Sequence, residues 1–151
     1  MDNKVKLQTI AFEINDLLTE YITIHNKILK KAGSFLSLFK RVNFQEFYDD
    51  TKDILLKFNL KQREVRELKI SLYDCMTHSQ RNFLDCLLRY VDTLIETINL
   101  LYIKVDLLYQ RSQNKISLRF KELQSVDKHY QKCINGYMRI GEELNDLYKE
   151  I

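Results

Sequence analysis

Three histidines, three cysteines and one acid–histidine pair at helical spacing are the side chains here whose types could support metal or nucleophilic chemistry. His25, His78 and His129 are preceded at i−3 by Ile22, Cys75 and Val126. None therefore completes the Glu-x-x-His pair with which a helical bundle holds two metal ions. Asp74 and His78, at i and i+4, could supply two ligands, but they fall where a turn is expected, and a capping role suits them better. Cys75, Cys86 and Cys133 are odd in number, widely spaced and without a C-x-x-C pair. They form neither a disulfide framework nor a zinc site by pattern, and their apolar settings suit small core hydrophobes.

The glycines narrow the chemistry further. Gly33, Gly136 and Gly141 are the only three, so neither a P-loop nor a G-x-G-x-x-G turn can be written. No G-x-S-x-G elbow and no Arg-x(4–6)-His signature is present. With no nucleophile, base or metal set to name, the chain reads as a non-enzyme that needs no cofactor. The W-x-G turn of small secreted helical-hairpin proteins is also missing, because there is no tryptophan.

What the residues do specify is helix packing. Leu7, Ile10, Ile14, Leu17, Tyr21, Ile24 and Ile28 recur at alternating spacings of three and four, an unbroken heptad seam. There is no proline, and seventeen aromatics (nine Tyr, eight Phe) supply bulky core material. A sheet protein needs frequent turn residues, and they are lacking. The 151 residues suit one domain spanning 1–151. The expected fold is all-α: an up-down-up-down four-helix bundle with coiled-coil-like heptad packing.

The first helix is expected from Asn3 to Ala32, ending at Gly33-Ser34. Ser34–Arg41 reads as a short helical turn or an ordered loop. Asn43-Phe44-Gln45-Glu46 is a start signal, a capping residue with Glu three positions on. Asn59–Glu64 is poorer in apolar residues and is a place for a kink. Around Cys75–Arg81 no Gly or Pro marks a break, yet Thr77 and Gln80 match a capping box. A turn there yields helices of about 29, 33, 33 and 36 residues, the matched lengths of a bundle. The alternative is three helices with a central one of about 65 residues. The next break is polar, Gln110–Lys115, and a last helix is expected from Ile116, with a wide apolar stripe that faces two neighbours. Gly136 and Gly141 within it either admit a close helix or are merely tolerated.

Charge supplies the one functional hint. The net charge is +3, but Lys27, Lys30, Lys31, Lys40 and Arg41 form one stretch without an acid, and Arg111, Lys115, Arg119 and Lys121 a second. In an up-down-up-down bundle these stretches share one end, flanking Phe35, Leu36, Leu38 and Phe39. Glu142, Glu143, Asp146 and Glu150 tend to the other end. Lys27, Lys30, Lys31, Phe35, Phe39, Lys40, Arg41, Arg111, Lys115, Arg119 and Lys121 thus make a candidate binding pole. The bland reading is that lysines at helix ends serve the dipole and the phenylalanines cap the core.

The functional expectation is a protein-binding or adaptor bundle, its partner another protein or a second copy of itself. The alternative is a peripheral binder of anionic membrane lipid or nucleic acid through the basic pole. No small-molecule substrate is implied. No run approaches a membrane span, and the charged start does not look like a secretory signal, so a cytoplasmic location is expected.

Overall fold

A computed structural model describes residues 2–32, 42–117 and 120–151. Four helices account for nearly all of them: α1 (Asn3–Ala32), α2 (Phe44–Leu72), α3 (His78–Ser112) and α4 (Phe120–Tyr148). No strand occurs among the described residues. The observed lengths are 30, 29, 35 and 29 residues.

Each boundary has a local cause. Asn43 caps α2, its side-chain oxygen accepting from the Glu46 amide at 3.3 Å. The contested stretch near residue 77 is a turn. A single 3-10 turn, Tyr73–Cys75, leads into extended Met76, and Thr77 opens α3 with a complete capping box. Its hydroxyl accepts from the Gln80 amide at 3.3 Å, and the Gln80 side chain accepts from the Thr77 amide at 3.2 Å. The single 65-residue central helix is therefore excluded.

A clamp reinforces the turn: the Tyr73 ring lies between the Lys69 ammonium at 5.1 Å and the Arg81 guanidinium at 5.3 Å. Its hydroxyl donates to Asp85 at 2.7 Å, joining cation–π attraction to a charge-assisted hydrogen bond. At the far end of α3, Asn114 takes a positive φ of 55°. The Lys115 amide returns to the Gln110 carbonyl and the Asn114 amide to the Arg111 carbonyl. That is a Schellman stop with Asn in the place usually taken by Gly.

Three expectations need correction. Of the cysteines only Cys86 is in the core: Cys75, on the 3-10 turn, is exposed and Cys133 is half-buried. α2 runs unbroken through residues 59–64, where Lys61 bridges Glu13 of α1 and Glu64 one turn on. α4 begins at Phe120 rather than Ile116, because the Schellman stop carries the chain out of helical conformation past Lys115. The segment Gly33–Arg41, with its expected turn or loop, lies outside the described residues.

Polar pairs fix the direction of every helix. Glu13–Lys61 and Glu20–Lys57 set α1 against α2, Lys69–Asp85 and Arg66–Asp92 set α2 against α3, and Arg89–Glu143 and Lys104–Asp127 set α3 against α4. In each set the numbers run in opposite senses, so neighbours are antiparallel and the topology is up-down-up-down. Exposed pairs of this kind contribute about 0–1 kcal/mol each and act mainly on register.

The stability lies in the core. Leu7, Ile10, Ile14, Tyr21, Ile24 and Ile28 of the seam are all buried, and Leu17 is half-buried. α3 is the hub: it packs on all the other helices and buries twelve residues from Phe83 to Val105. Each large aliphatic side chain so buried contributes about 1.5–3 kcal/mol. The wide stripe of α4 is only partly covered. Tyr130 and Tyr137 are buried, whereas Ile134, Ile140, Leu144, Leu147 and Tyr148 are half-buried. α4 lies closely on α3, but meets α1 chiefly through long side chains.

Candidate functional site

The side chains joining α1 to α4 form the most chemically distinctive region. Tyr21 sits on the buried seam of α1, and His25 follows one turn later on the same face. Tyr130 of α4 reaches between them: its hydroxyl lies 2.5 Å from that of Tyr21 and 2.6 Å from His25 Nδ1. Tyr137, one heptad on, meets Tyr21 edge-on at 6.3 Å and Tyr90 of α3 at 6.4 Å.

The direction of this hydrogen-bond chain follows from satisfaction. Tyr21 is buried and, among the described residues, its hydroxyl bonds to Tyr130 alone, so it donates there to avoid a stranded donor. Tyr130 then donates to Nδ1 of His25, which is neutral with its proton on Nε2. Burial first, and the nearby Lys104 ammonium second, hold the His25 pKa below its ordinary value. Burial pushes both Tyr21 and Tyr130 well above the usual phenol range. The two phenols stay protonated, and His25 Nδ1 is taken up by the Tyr130 hydroxyl. Lys104 itself is only 8% exposed and ends on Asp127 at 2.6 Å.

Toward the other end, α1, α3 and α4 line a half-open cleft of about 320 Å³. Phe12 and Tyr148 close one side edge to face, with ring centroids 6.3 Å apart, and Phe83 stands behind Tyr148 at 5.9 Å. The two helical glycines are not equivalent here. A Cβ on Gly141 would stand 3.2 Å from the Tyr90 ring, whereas one on Gly136 would make an ordinary 3.6 Å contact with Thr93. Gly141 admits a close neighbour; Gly136 is tolerated.

The candidate basic pole is present in part. Lys30 and Lys31 in the last turn of α1, Arg111 in the last turn of α3, Lys115 beyond it and Lys121 at the start of α4 are exposed and share one end of the bundle. Phe35, Phe39, Lys40, Arg41 and Arg119 lie outside the described residues. Lys27 is half-buried and pairs with Glu46, with Asp50 at 3.5 Å. The first turns of α2 thus bring Glu46, Asp49 and Asp50 to the same end, acids that inspection of the two basic stretches alone overlooks.

Sequence inspection also overlooked the tyrosine–histidine chain and the Lys104–Asp127 pair. Signals existed: His25 stands at i+4 from a seam tyrosine, and Lys104, with Asp106, interrupts the dense apolar run of residues 100–109. The search for Glu-x-x-His spacing passed over both. No cluster of three potential metal ligands occurs among the described residues, and none of their helices is long and apolar enough to cross a membrane. Comparison with protein-family models, with curated proteins and with solved structures found no match.

Proposed function

We propose that this chain is a non-catalytic, cytoplasmic protein-binding module, and that the outward face of α2 is its contact surface. One observation carries the reading. Leu56, Leu60 and Ile70 are 59%, 49% and 86% exposed. Their spacing places all three within a narrow arc of one helix face at 3.6 residues per turn. Single exposed aliphatics are ordinary, but an aligned set is the kind of patch that partners cover. Lys52, Arg63 and Glu67 are exposed on the same face. In the antiparallel register that sets Lys52 against Glu67, Leu60 lies beside Leu60 of a second copy, so a second copy is the first partner to test. The mutual pairing of Tyr21, Tyr130 and His25, and of Lys104 with Asp127, supports binding over catalysis.

Sedimentation over a wide concentration range is the direct experiment. The expected outcome is a reversible dimer that Leu60→Glu returns to monomer with helicity unchanged. A strict monomer at high concentration removes self-association. A photo-crosslinker at position 60 that captures no protein partner removes the α2 surface altogether.

A second reading, binding of an anionic surface, draws on the shared end of Lys30, Lys31, Arg111, Lys115 and Lys121. Glu46, Asp49 and Asp50 at that end weaken it. Binding of this type would fall steeply with salt, and failure to retain anionic vesicles or DNA at low salt ends it.

A further inference from the structure

We propose that the Tyr21–Tyr130–His25 chain is a proton-operated latch: uptake of one proton at His25 parts α1 from α4, while the α2–α3 and α3–α4 packing holds. This is independent of the α2 surface. The chain has two links, Tyr21 to Tyr130 at 2.5 Å and Tyr130 to His25 Nδ1 at 2.6 Å. With Nδ1 bare, two hydroxyl protons fill two links and none is left over. A proton on Nδ1 makes three protons for the same two links. Whichever way the hydroxyls then turn, one proton has no acceptor in the chain. Tyr21 is 1% exposed and Tyr130 2%, so a stranded phenol proton cannot turn to water while the junction is closed. A buried donor left in this way shifts the balance from the closed to the open form by about tenfold.

Charge acts in the same direction. The Lys104 ammonium of α3 opposes a positive charge on the ring, and Asp127 of α4 is already engaged with that ammonium at 2.6 Å. From α4 the ring meets Tyr130, and on its own helix Tyr21, both neutral. Among the described residues, α2 places no hydrogen bond, ring contact or charge on it.

The α1–α4 junction is also the seam best able to part. α1 packs on α2 and α3, and α4 on α3, whereas α1 and α4 meet chiefly through side chains. Two ring pairs span the seam beside the latch, Tyr21–Tyr137 and Phe12–Tyr148, each at 6.3 Å. His25 is only half-buried, so a proton reaches it from solvent with the bundle closed. Parting the seam gives the stranded hydroxyl and the imidazolium to water, and widens the cleft lined by Ile14, Leu18 and Leu144.

The test is an aromatic NOE measurement on the full chain from about pH 7.5 to about pH 4.5, with the His25 ring shifts recording its protonation. Phe12–Tyr148 and Tyr21–Tyr137 report on the α1–α4 seam. Tyr48–Tyr102, at 5.2 Å, reports on α2–α3, and Tyr90–Tyr137, at 6.4 Å, on α3–α4. As His25 titrates, the first two should weaken several-fold and reversibly, and the last two should persist. His25→Asn sets an amide oxygen near the Nδ1 position and takes up no proton, so its seam NOEs should survive to the acid end. Lys104→Met removes the opposing charge and should hold the seam closed to lower pH, a second variant should the first fail to fold. The proposal is overturned if His25 has not titrated by about pH 4.5, or if both seam NOEs survive its titration. It is equally overturned if all four NOEs vanish together, or if either folded variant opens at the pH of the parent chain.

Discussion

The hydroxyls of Tyr21 and Tyr130, 109 residues apart in sequence, lie 2.5 Å from each other in the interior, and the chain they form ends on His25. This is the polar junction between the first and last helices, at a place where the backbones do not pack closely. A dry hydrogen-bond chain is costly to leave incomplete, so its members differ in importance according to their position within it.

Tyr130 is the middle member. Replacing it with Phe strands the Tyr21 donor and removes the partner of His25 Nδ1, whereas Tyr21→Phe deletes only the terminal donor. Urea denaturation should show Tyr130→Phe costing about 2–3 kcal/mol and Tyr21→Phe about 1 kcal/mol. Equal losses would contradict the donor order assigned here.

His25 makes the fold acid-sensitive. Its ring faces Tyr21 on α1, Tyr130 on α4 and the Lys104 ammonium on α3, whose own carboxylate partner is Asp127. In the folded chain its pKa is depressed, first by burial and then by Lys104, while in the unfolded chain it returns to about 6.5. The unfolded state therefore binds more protons across this window, and stability falls as pH drops through about 6.5 toward the folded-state value. The urea midpoint should decline between about pH 7.5 and about pH 5, and His25→Gln should flatten that decline. An unchanged slope in the variant would place the acid sensitivity elsewhere.

Lys104 and Asp127 are asymmetric partners. The lysine is buried and the aspartate side chain is 43% exposed. Asp127→Asn leaves an interior ammonium unpaired and should cost about 1–3 kcal/mol, a figure reduced by the carboxylate's access to water. Lys104→Met leaves only a carboxylate that water can reach and should be close to neutral. Thermal melts of the two variants should therefore separate clearly.

The two helical glycines predict opposite outcomes. Gly136→Ala gains helix propensity without a clash and should stabilise by up to about 1 kcal/mol. Gly141→Ala forces the Tyr90 ring to move and should cancel that gain or cost about 1 kcal/mol net. The sign of the difference in denaturation midpoints checks the packing.

Architecture was legible because its determinants are local and periodic. The seam from Leu7 to Ile28, the Asn43 cap and the Thr77–Gln80 capping box each involve residues within one or two turns of each other. The start of α4 was less so: Ile116 fits the apolar pattern, but the Asn114 stop depends on a backbone conformation that Asn adopts only sometimes. The interior chemistry was hidden for a different reason. Tyr130 belongs to His25, and Asp127 to Lys104, only once α4 is docked. No spacing rule within one helix reveals such pairs. The acids of α2 that answer Lys27 were hidden likewise, since they lie across a connection from the basic stretch.

The turn at Tyr73–Thr77 carries one more consequence. α2 and α3 are tied by those few residues, with the Tyr73 clamp and the capping box both set by neighbours in the chain. Contacts of short sequence separation form before distant ones, because closing small loops sacrifices little chain entropy. This hairpin is therefore the natural nucleus of folding, and α4 adds to it as the next adjacent segment. The docking of α1 against α4 closes the longest loop in the molecule. By the same logic, amide exchange should begin along α1 and end in the centre of α3.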